Sequence, residues 1–244
     1  MSINQKFLDI LKLSFKTYLE KDSSRSTAKL KSLHAFIAKN ILNKLGDDYT
    51  VQSQGYGNDK EGSITGRYYN KNVDIVINYQ GIPIAGYAVK FVMRNYSQNS
   101  NNYFENMLGE TANIRSKRIP YFQVFIIFED IPYYEKGGNL KKYDHLSNHH
   151  LAKYLELSKD DPNYFLHTPD KTLFILLSLK NYDNQNFKTS KQYASHYLSK
   201  IDDKDLIKYS TKIKDNFDDS VILNNFEDFI DRSISIIKGK GKSK

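Results

Sequence analysis

The feature that most constrains the fold of this chain is a pair of apolar, β-branched runs, Val73–Tyr79 and Ile82–Met93. Between them, Gln80-Gly81 is typical of a tight turn, so the two runs predict a β-hairpin. Asp74 and Lys90 bring a carboxylate and an ammonium group into strands that are otherwise suited to burial. Because an unpaired buried charge is costly, we expect these two groups to pair with each other or to hold a ligand.

The order of elements around this hairpin predicts an α/β fold, with a central mixed β-sheet flanked by helices and a helical C-terminal part. Hydrophobic spacing predicts helices at about 4–20, 26–45, 103–116, 145–157, 203–214 and 225–237. Further strands are expected at 49–53, 64–69, 121–128 and 172–179. We find no repeat or clear linker and expect one domain over residues 1–244, with a core at about 26–128, further elements at about 129–237 and a basic tail at 238–244.

The formal net charge of +8 favours an anionic partner, and nucleic acid and acidic membrane surfaces are the common kinds. The chain has no cysteine, which excludes disulfide bonds and metal sites built from thiolates. No apolar run reaches the ~18 residues of a membrane span, and the amphipathic N-terminal residues include acids, unlike a secretory signal. We therefore expect a cytoplasmic protein with no membrane segment.

The hairpin would bring Asp74, near the start of one strand, and Lys90, on the next strand, to one edge of the sheet. Residues 88 and 90 share a face because side chains alternate along a strand. A metal-dependent nuclease needs this arrangement, in which carboxylates hold Mg²⁺ against the scissile phosphate and a lysine positions or activates the attacking water. The second carboxylate belongs at position 88, which is Ala88 in this chain.

This segment resembles the PD-(D/E)xK nuclease superfamily, and in particular type II restriction endonucleases. The resemblance is carried by Val73-Asp74 and Ala88-Val89-Lys90 within the element order, and it covers about 26–128. The run 95–115 is also similar to a segment that follows the catalytic lysine in some restriction enzymes. The resemblance implies a restriction-endonuclease-like core, with DNA-recognition elements in the 129–237 part.

The same resemblance implies Mg²⁺ as cofactor, with Asp74 and an acid at position 88 as metal ligands and the Val89 carbonyl as an assisting ligand. Asp74, position 88 and Lys90 would be the catalytic positions. Double-stranded DNA would be the substrate, and a palindromic target would favour a homodimer, although a monomer that cuts the strands in turn stays open. A DNA methyltransferase is the functional partner that such an enzyme would have.

Two positions depart from the family pattern. Val73 replaces the usual proline, which the superfamily tolerates, and Ala88 replaces the acid, which it seldom tolerates. A methyl group cannot coordinate a metal ion, so we expect a loss of roughly 10³-fold or more in rate. Either Ala88 is a Glu→Ala substitution, which the intact flanking residues favour, or the acid has migrated, with Glu61 as the candidate catalytic and metal-binding carboxylate. Glu110 could face the site from the following helix, but its pattern fits a helix surface better.

A polar stretch after the catalytic strand suits contacts with bases, because Arg pairs with guanine and Asn or Gln pairs with adenine in the major groove. The candidates there are Arg94, Asn95, Gln98, Asn99, Asn101 and Asn102, although a solvated loop has the same composition. The basic cluster Arg115, Lys117 and Arg118 is expected to contact phosphates, which positions DNA without selecting its sequence. Arg25, Lys29 and Lys31 form another basic group that fits either phosphate contacts or a solvated helix start.

Three functions follow from these patterns. The first is a Mg²⁺-dependent, site-specific endonuclease that Ala88 disables, so that the chain binds DNA without cutting it. The second is a structure-specific repair or junction nuclease, and the third is a non-catalytic DNA-binding protein with a nuclease-like fold. A basic globular protein in which Asp74 and Lys90 form an internal ion pair would instead show no metal dependence.

Overall fold

The computed structural model describes residues 1–21, 28–182, 187–213 and 216–241, with no side-chain description for 240 and 241. Arg25 and the end of the basic tail, 242–244, lie outside the described residues. The helices are α1 (Ile3–Lys21), α2 (Ala28–Leu45), α3 (Ser100–Arg115), α4 (Asn148–Lys159), α5 (Ser190–Ser199) and α6 (Phe226–Gly241). Among the described residues, no helix combines the length and the apolar character that crossing a membrane requires.

The strands are β1 (Tyr49–Ser53), β2 (Gly62–Thr65), β3 (Asn70–Val73), β4 (Ile75–Tyr79), β5 (Ile82–Val92), β6 (Tyr121–Phe128), β7 (Asp130–Tyr134), β8 (Leu140–His145), β9 (Lys171–Leu179), β10 (Ile207–Tyr209) and β11 (Val221–Leu223). Seven of them form the central sheet in the order β1-β4-β5-β6-β9-β10, with β11 also paired to β9. Neighbours β5, β6 and β9 are parallel, whereas β1, β4 and β10 pair antiparallel. The fold is therefore α/β with a mixed central sheet, as the sequence predicts.

Helices cover both faces of this sheet. On one face α1, α2 and α6 pack together, and Tyr87 of β5 contacts Phe229 of α6 with ring centres 6.1 Å apart. On the other face lie α3 and α4, where Phe125 of β6 packs on Tyr154 of α4 at 5.3 Å. Because side chains alternate along a strand, the residue after Tyr87 faces α3 rather than α6.

The predicted hairpin is confirmed as β4 and β5, joined through Gln80 and Gly81. Both turn residues have positive φ, +50° and +78°, as a type I′ hairpin turn requires at its two central positions. The strand expected from Val73 is divided, however. Val73 ends β3, which pairs with β2, and Ile75 begins β4, which pairs with β5. Asp74 therefore lies at the break between two sheets.

The second half of the chain differs most from expectation. The predicted helix at 203–214 is wrong, because β10 lies there and the described residues 203–213 contain no helix. In its described residues, the predicted helical C-terminal part holds three helices but also five strands, three of which extend the central sheet. The sheet consequently continues well past residue 128.

Candidate active site

Asp74 is held against the middle of β5. Its Oδ2 accepts a hydrogen bond from the backbone N–H of Val89 at 2.7 Å, and its own carbonyl accepts one from Ser53 Oγ at 2.8 Å. These bonds anchor both the backbone and the carboxylate where β3 gives way to β4. The carboxylate is therefore fixed beside the strand that carries Ala88 and Lys90.

A cleft of about 330 Å³ opens at this place, between the sheet and α3. Asp74, Ala88, Val89 and Lys90 all line it, so the structure brings together the four positions that the sequence singles out in the hairpin. Ala88 and Lys90 share the cleft-facing side of β5, as a period of two residues requires. The missing acid would thus project from the same wall as the lysine.

Lys90 is partly exposed and packs over an aromatic ring. Its Nζ lies 4.6 Å from the ring centre of Tyr103 on α3. Desolvation lowers the pKa of Lys90, and the charges of Asp74 and Glu110 oppose that shift. Among the ion pairs of the described residues, none joins Asp74 to Lys90, so a simple internal salt bridge does not account for the two charges.

The carboxylate of Asp74 is in an unfavourable place for a negative charge. Burial raises its pKa, and the nearby charge of Glu110 raises it further. The Val89 hydrogen bond and the charges of Lys71 and Lys90 lower it again, but the net shift is upward. A cation bound in the cleft would relieve this cost.

Glu110 also lines the cleft, contrary to the helix-surface position that its pattern favours. It is half-buried, and its Oε1 pairs with Nζ of Lys71 on β3 at 2.6 Å. The sequence contains an indication of this position, because Glu110 shares a helix face with Met107 and Ile114, which are both buried and lie one turn before and one turn after it. The cleft thus contains a second carboxylate, supplied by α3.

Glu61 does not line the cleft among the described residues. Its Oε1 accepts a hydrogen bond from Gln54 Nε2 at 2.8 Å. Its charge acts on His34, whose pKa is about 4 because burial lowers it more than the charge of Glu61 raises it. The structure therefore does not bring the Glu61 carboxylate into the cleft lining with Asp74 and Lys90, and its replacement of the acid at position 88 stays a prediction.

Gln123 is a member of the site that sequence reasoning missed. It is opposite Ala88 in the parallel register of β5 and β6, lines the cleft and is 6% exposed. Its Nε2 atom has no hydrogen-bond partner among the described residues. The available signal was that Gln123 is the one polar residue in the apolar run of β6.

The donor set bears on whether Mg²⁺ fits here. The described residues contain no group of three or more acidic or histidine side chains arranged to hold a metal ion. Proteins commonly bind Mg²⁺ through one or two carboxylates, with waters and substrate phosphates completing the shell. Asp74 and the Val89 carbonyl therefore fit Mg²⁺ as a shared site with a phosphate, and an acid at position 88 would add the ligand that is missing.

Several predicted base-contacting residues are instead used inside the protein. Asn95, at φ +52°, donates to the Tyr134 carbonyl at 2.8 Å and accepts from its N–H at 2.9 Å. Asn99 contacts the carbonyl of Asn95 at 3.4 Å. These bonds tie the loop to β7, so the expectation of base contacts is corrected for Asn95. Gln98, Asn101 and Asn102 are exposed and remain candidates for contacts with bases. Gln98 also accepts a hydrogen bond from the Tyr133 hydroxyl, and Asn101 accepts one from Lys153 Nζ.

Arg115 is the clearest correction. It is 5% exposed, and its guanidinium donates to both carboxylate oxygens of Asp170, at 2.8 and 3.3 Å. Further donations go to the carbonyls of Pro162, Phe165 and Thr168. Arg115 therefore stabilises the fold and is not available to a phosphate, whereas its neighbours Lys117 and Arg118 are exposed.

Three cationic side chains lie within electrostatic reach of one another beside the cleft. Burial, together with the charges of Lys90 and Arg94, lowers the pKa of Lys29 to about 8. Mutual repulsion among cations is relieved when an anion binds between them. Lys29 is buried, with its ammonium group 5.6 Å from the centre of the Tyr18 ring, so a solvated helix start does not describe this residue.

Comparison of the chain with protein-family models, with curated proteins and with solved structures finds no match. The chemistry of the cleft is therefore what bears on function.

Proposed function

We propose that this chain is a sequence-specific double-stranded DNA endonuclease of the type II restriction class, in a form that Ala88 disables. The observation that carries the proposal is the common cleft of Asp74, Ala88 and Lys90, with the Asp74 carboxylate bonded to the Val89 backbone. A structural ion pair would not need a cavity at this point. A nuclease would, because the scissile phosphate must reach both the carboxylate and the lysine.

Each residue has a defined role in this proposal. Asp74 and the Val89 carbonyl would hold Mg²⁺, which when bound polarises the phosphate and lowers the pKa of water. Lys90 lies beside the cleft with a lowered pKa, so it can donate a hydrogen bond to the attacking water or to a phosphate oxygen. Glu110 supplies further negative charge, which Lys71 balances when no cation is bound.

The partner is duplex DNA. The net charge of +8 and the cationic group of Lys29, Lys90 and Arg94 support a polyanion. The resemblance to restriction enzymes extends the proposal to a homodimer that acts in the cytoplasm on a palindromic site. It also makes a DNA methyltransferase the expected functional partner.

The test compares the chain with its Ala88→Glu variant on mixed-sequence duplex DNA, with and without Mg²⁺. Ala88→Gln is the matched control, since it has the same size but no charge. We expect discrete fragments only from Ala88→Glu and only when Mg²⁺ is present. Cleavage should be lost when Asp74→Asn is added to that variant. Equal cleavage by all three proteins would place the second acid elsewhere, and Glu110→Gln would then identify it.

Ala88 also favours a second function, that of a DNA-binding protein without nuclease activity. Only two carboxylates line the cleft among the described residues, and one of them is paired with Lys71, which suits a DNA-binding protein that has lost cleavage. In that case all variants would hold duplex DNA, with affinity falling steeply as salt rises, and none would cut. Preferential cleavage of a branched substrate by Ala88→Glu would instead indicate a junction or repair nuclease.

A further inference from the structure

The β2–β3 hairpin ends in a tip, residues 66–70, that presents large side chains to solvent. The neighbouring residues Tyr68 and Tyr69 are 76% and 53% exposed, although aromatic side chains of this size are usually buried to a greater extent. Arg67 lies over the Tyr68 ring, with its guanidinium carbon 5.7 Å from the ring centre. Exposed aromatic rings next to a cation are typical of surfaces that bind nucleic acids.

The tip is held against α3 by hydrogen bonds to Asn113, which is 2% exposed. The side chain of Asn113 accepts from the N–H of Tyr68 at 2.9 Å and donates to the carbonyl of Tyr69 at 3.0 Å, while its backbone carbonyl accepts from Arg67 at 2.8 Å. Gly66 is needed here, because a Cβ at this position would lie 2.1 Å from the Asn113 amide. The backbone that carries the exposed rings is therefore held in place by buried bonds.

The tip and the cleft belong to one unit. Strand β3 leads from the tip through Lys71, which pairs with Glu110 in the cleft, to Asp74. Five residues of extended chain separate Tyr69 from Asp74, which is at most about 17 Å. Duplex DNA carries a charge every ~1.7 Å of its axis, so about ten charges span this distance and one short duplex can reach both the cleft and the tip.

Positive charge surrounds the tip. Lys117 and Arg118 follow the end of α3 within about one turn of Asn113, and both are exposed. Within the described part of the chain, no ion pair engages Arg67, Lys117 or Arg118. Unpaired cations beside exposed rings complement a partner that combines negative charge with flat apolar groups, which is the chemistry of nucleic acid.

We propose that the β2–β3 tip is a DNA-contacting element that enters a groove of the duplex bound at the cleft. Arg67 contacts backbone phosphates, and Tyr68 packs against sugars or base edges. The partner, DNA, is taken from the proposed function, but the contact does not depend on cleavage. It can therefore be tested on the chain with Ala88 in place.

The experiment measures equilibrium binding of a fluorescently labelled duplex as a function of salt. Combining Arg67→Ala with Tyr68→Ala should weaken binding roughly tenfold or more, since it removes both a phosphate contact and an aromatic contact. Arg67→Ala alone should also lower the salt slope by about one. The matched controls are Lys6→Ala, which removes an exposed charge on α1, and Tyr79→Ala, which removes a ring at the far end of β4; neither should change binding.

The outcomes separate the two proposals. If the unmodified chain does not bind duplex DNA, the proposed function fails and the contact fails with it. If the chain binds and the double variant binds as tightly as Lys6→Ala, the tip contact alone is overturned. Loss of binding to phosphatidylserine vesicles with unchanged DNA affinity would assign the tip to a membrane surface and would also overturn it.

Discussion

Ala88 and Gln123 lie side by side on the cleft-facing side of two parallel strands, and Gln123 Nε2 has no hydrogen-bond partner among the described residues. A buried amide without a partner costs about 1–3 kcal/mol. A carboxylate at position 88 would lie next to this amide and could accept its hydrogen bond. The neighbouring strand is thus suited to an acid at the position where this chain has a methyl group.

The first prediction is that Gln123→Leu has opposite effects in two backgrounds. With Ala88 present, it should raise the free energy of unfolding by about 1 kcal/mol, because it removes an unpaired buried amide. In the Ala88→Glu variant, it should lower that free energy and slow cleavage, because the new carboxylate loses its donor. Urea unfolding of the four proteins in a double-mutant cycle measures the coupling. Equal changes in the free energy of unfolding in both backgrounds would show that the two side chains do not interact.

The second prediction concerns Asp74, whose pKa is raised mainly by burial. A carboxyl group with a higher pKa in the folded state binds more protons there, so stability decreases as pH rises from the unfolded value through the folded one. Asp74→Asn keeps an acceptor for the Val89 N–H and should therefore stabilise the protein at pH 7. The gain should vanish in acid, where both states are protonated.

Thermal unfolding at several pH values measures this difference. Asp9→Asn, on α1, is the control for removing an exposed carboxylate. Should Asp74→Asn destabilise the protein at pH 7 and not in acid, the carboxylate would be stabilised by its neighbours, and the cleft would not need a cation.

The elements that sequence predicts well are those with long, self-consistent patterns. The bounds of β6 agree with the predicted strand at 121–128, because a continuous apolar run is buried on both faces. The three-residue strand β10 lies inside the helix that the sequence predicts at 203–214, since so short an element has no period of its own. Its conformation is decided by antiparallel pairing with the end of β9, a contact that local spacing does not contain.

The same limit applies to the cleft. The proximity of Asp74, Ala88 and Lys90 follows from one hairpin and a period of two, both of which are local. The sequence argument does not reach Gln123 and assigns Glu110 to the helix surface, because the positions of both residues depend on long-range geometry. Gln123 meets Ala88 through the register of two parallel strands joined by α3, and Glu110 enters the cleft through the rotation of that helix.

The third prediction separates Arg115 from Arg118, which the sequence groups together. Arg115→Ala should destabilise the protein by about 3–5 kcal/mol, because it leaves Asp170 buried without its charge partner. Arg118→Ala should leave stability unchanged and reduce DNA affinity and its salt dependence, as expected for an exposed phosphate contact. Urea unfolding and duplex binding on both variants measure the two effects. Weak destabilisation by Arg115→Ala would mean that its buried bonds are dispensable.

The fourth prediction uses Asn113, which holds the β2–β3 tip without being exposed. Asn113→Ala removes both side-chain bonds to Tyr68 and Tyr69, so the rings should lose their fixed orientation. If the tip contacts DNA in that orientation, the variant should bind duplex DNA roughly tenfold more weakly, although every exposed residue is unchanged. Asn113→Asp tests the mechanism, because it keeps the acceptor for the Tyr68 N–H and loses the donor to the Tyr69 carbonyl. Its affinity for duplex DNA should lie between that of the unmodified chain and that of Asn113→Ala. Because either variant also loses some stability, binding is compared at a temperature where circular dichroism shows all proteins folded. Full affinity in folded Asn113→Ala would mean that the tip orientation has no part in binding.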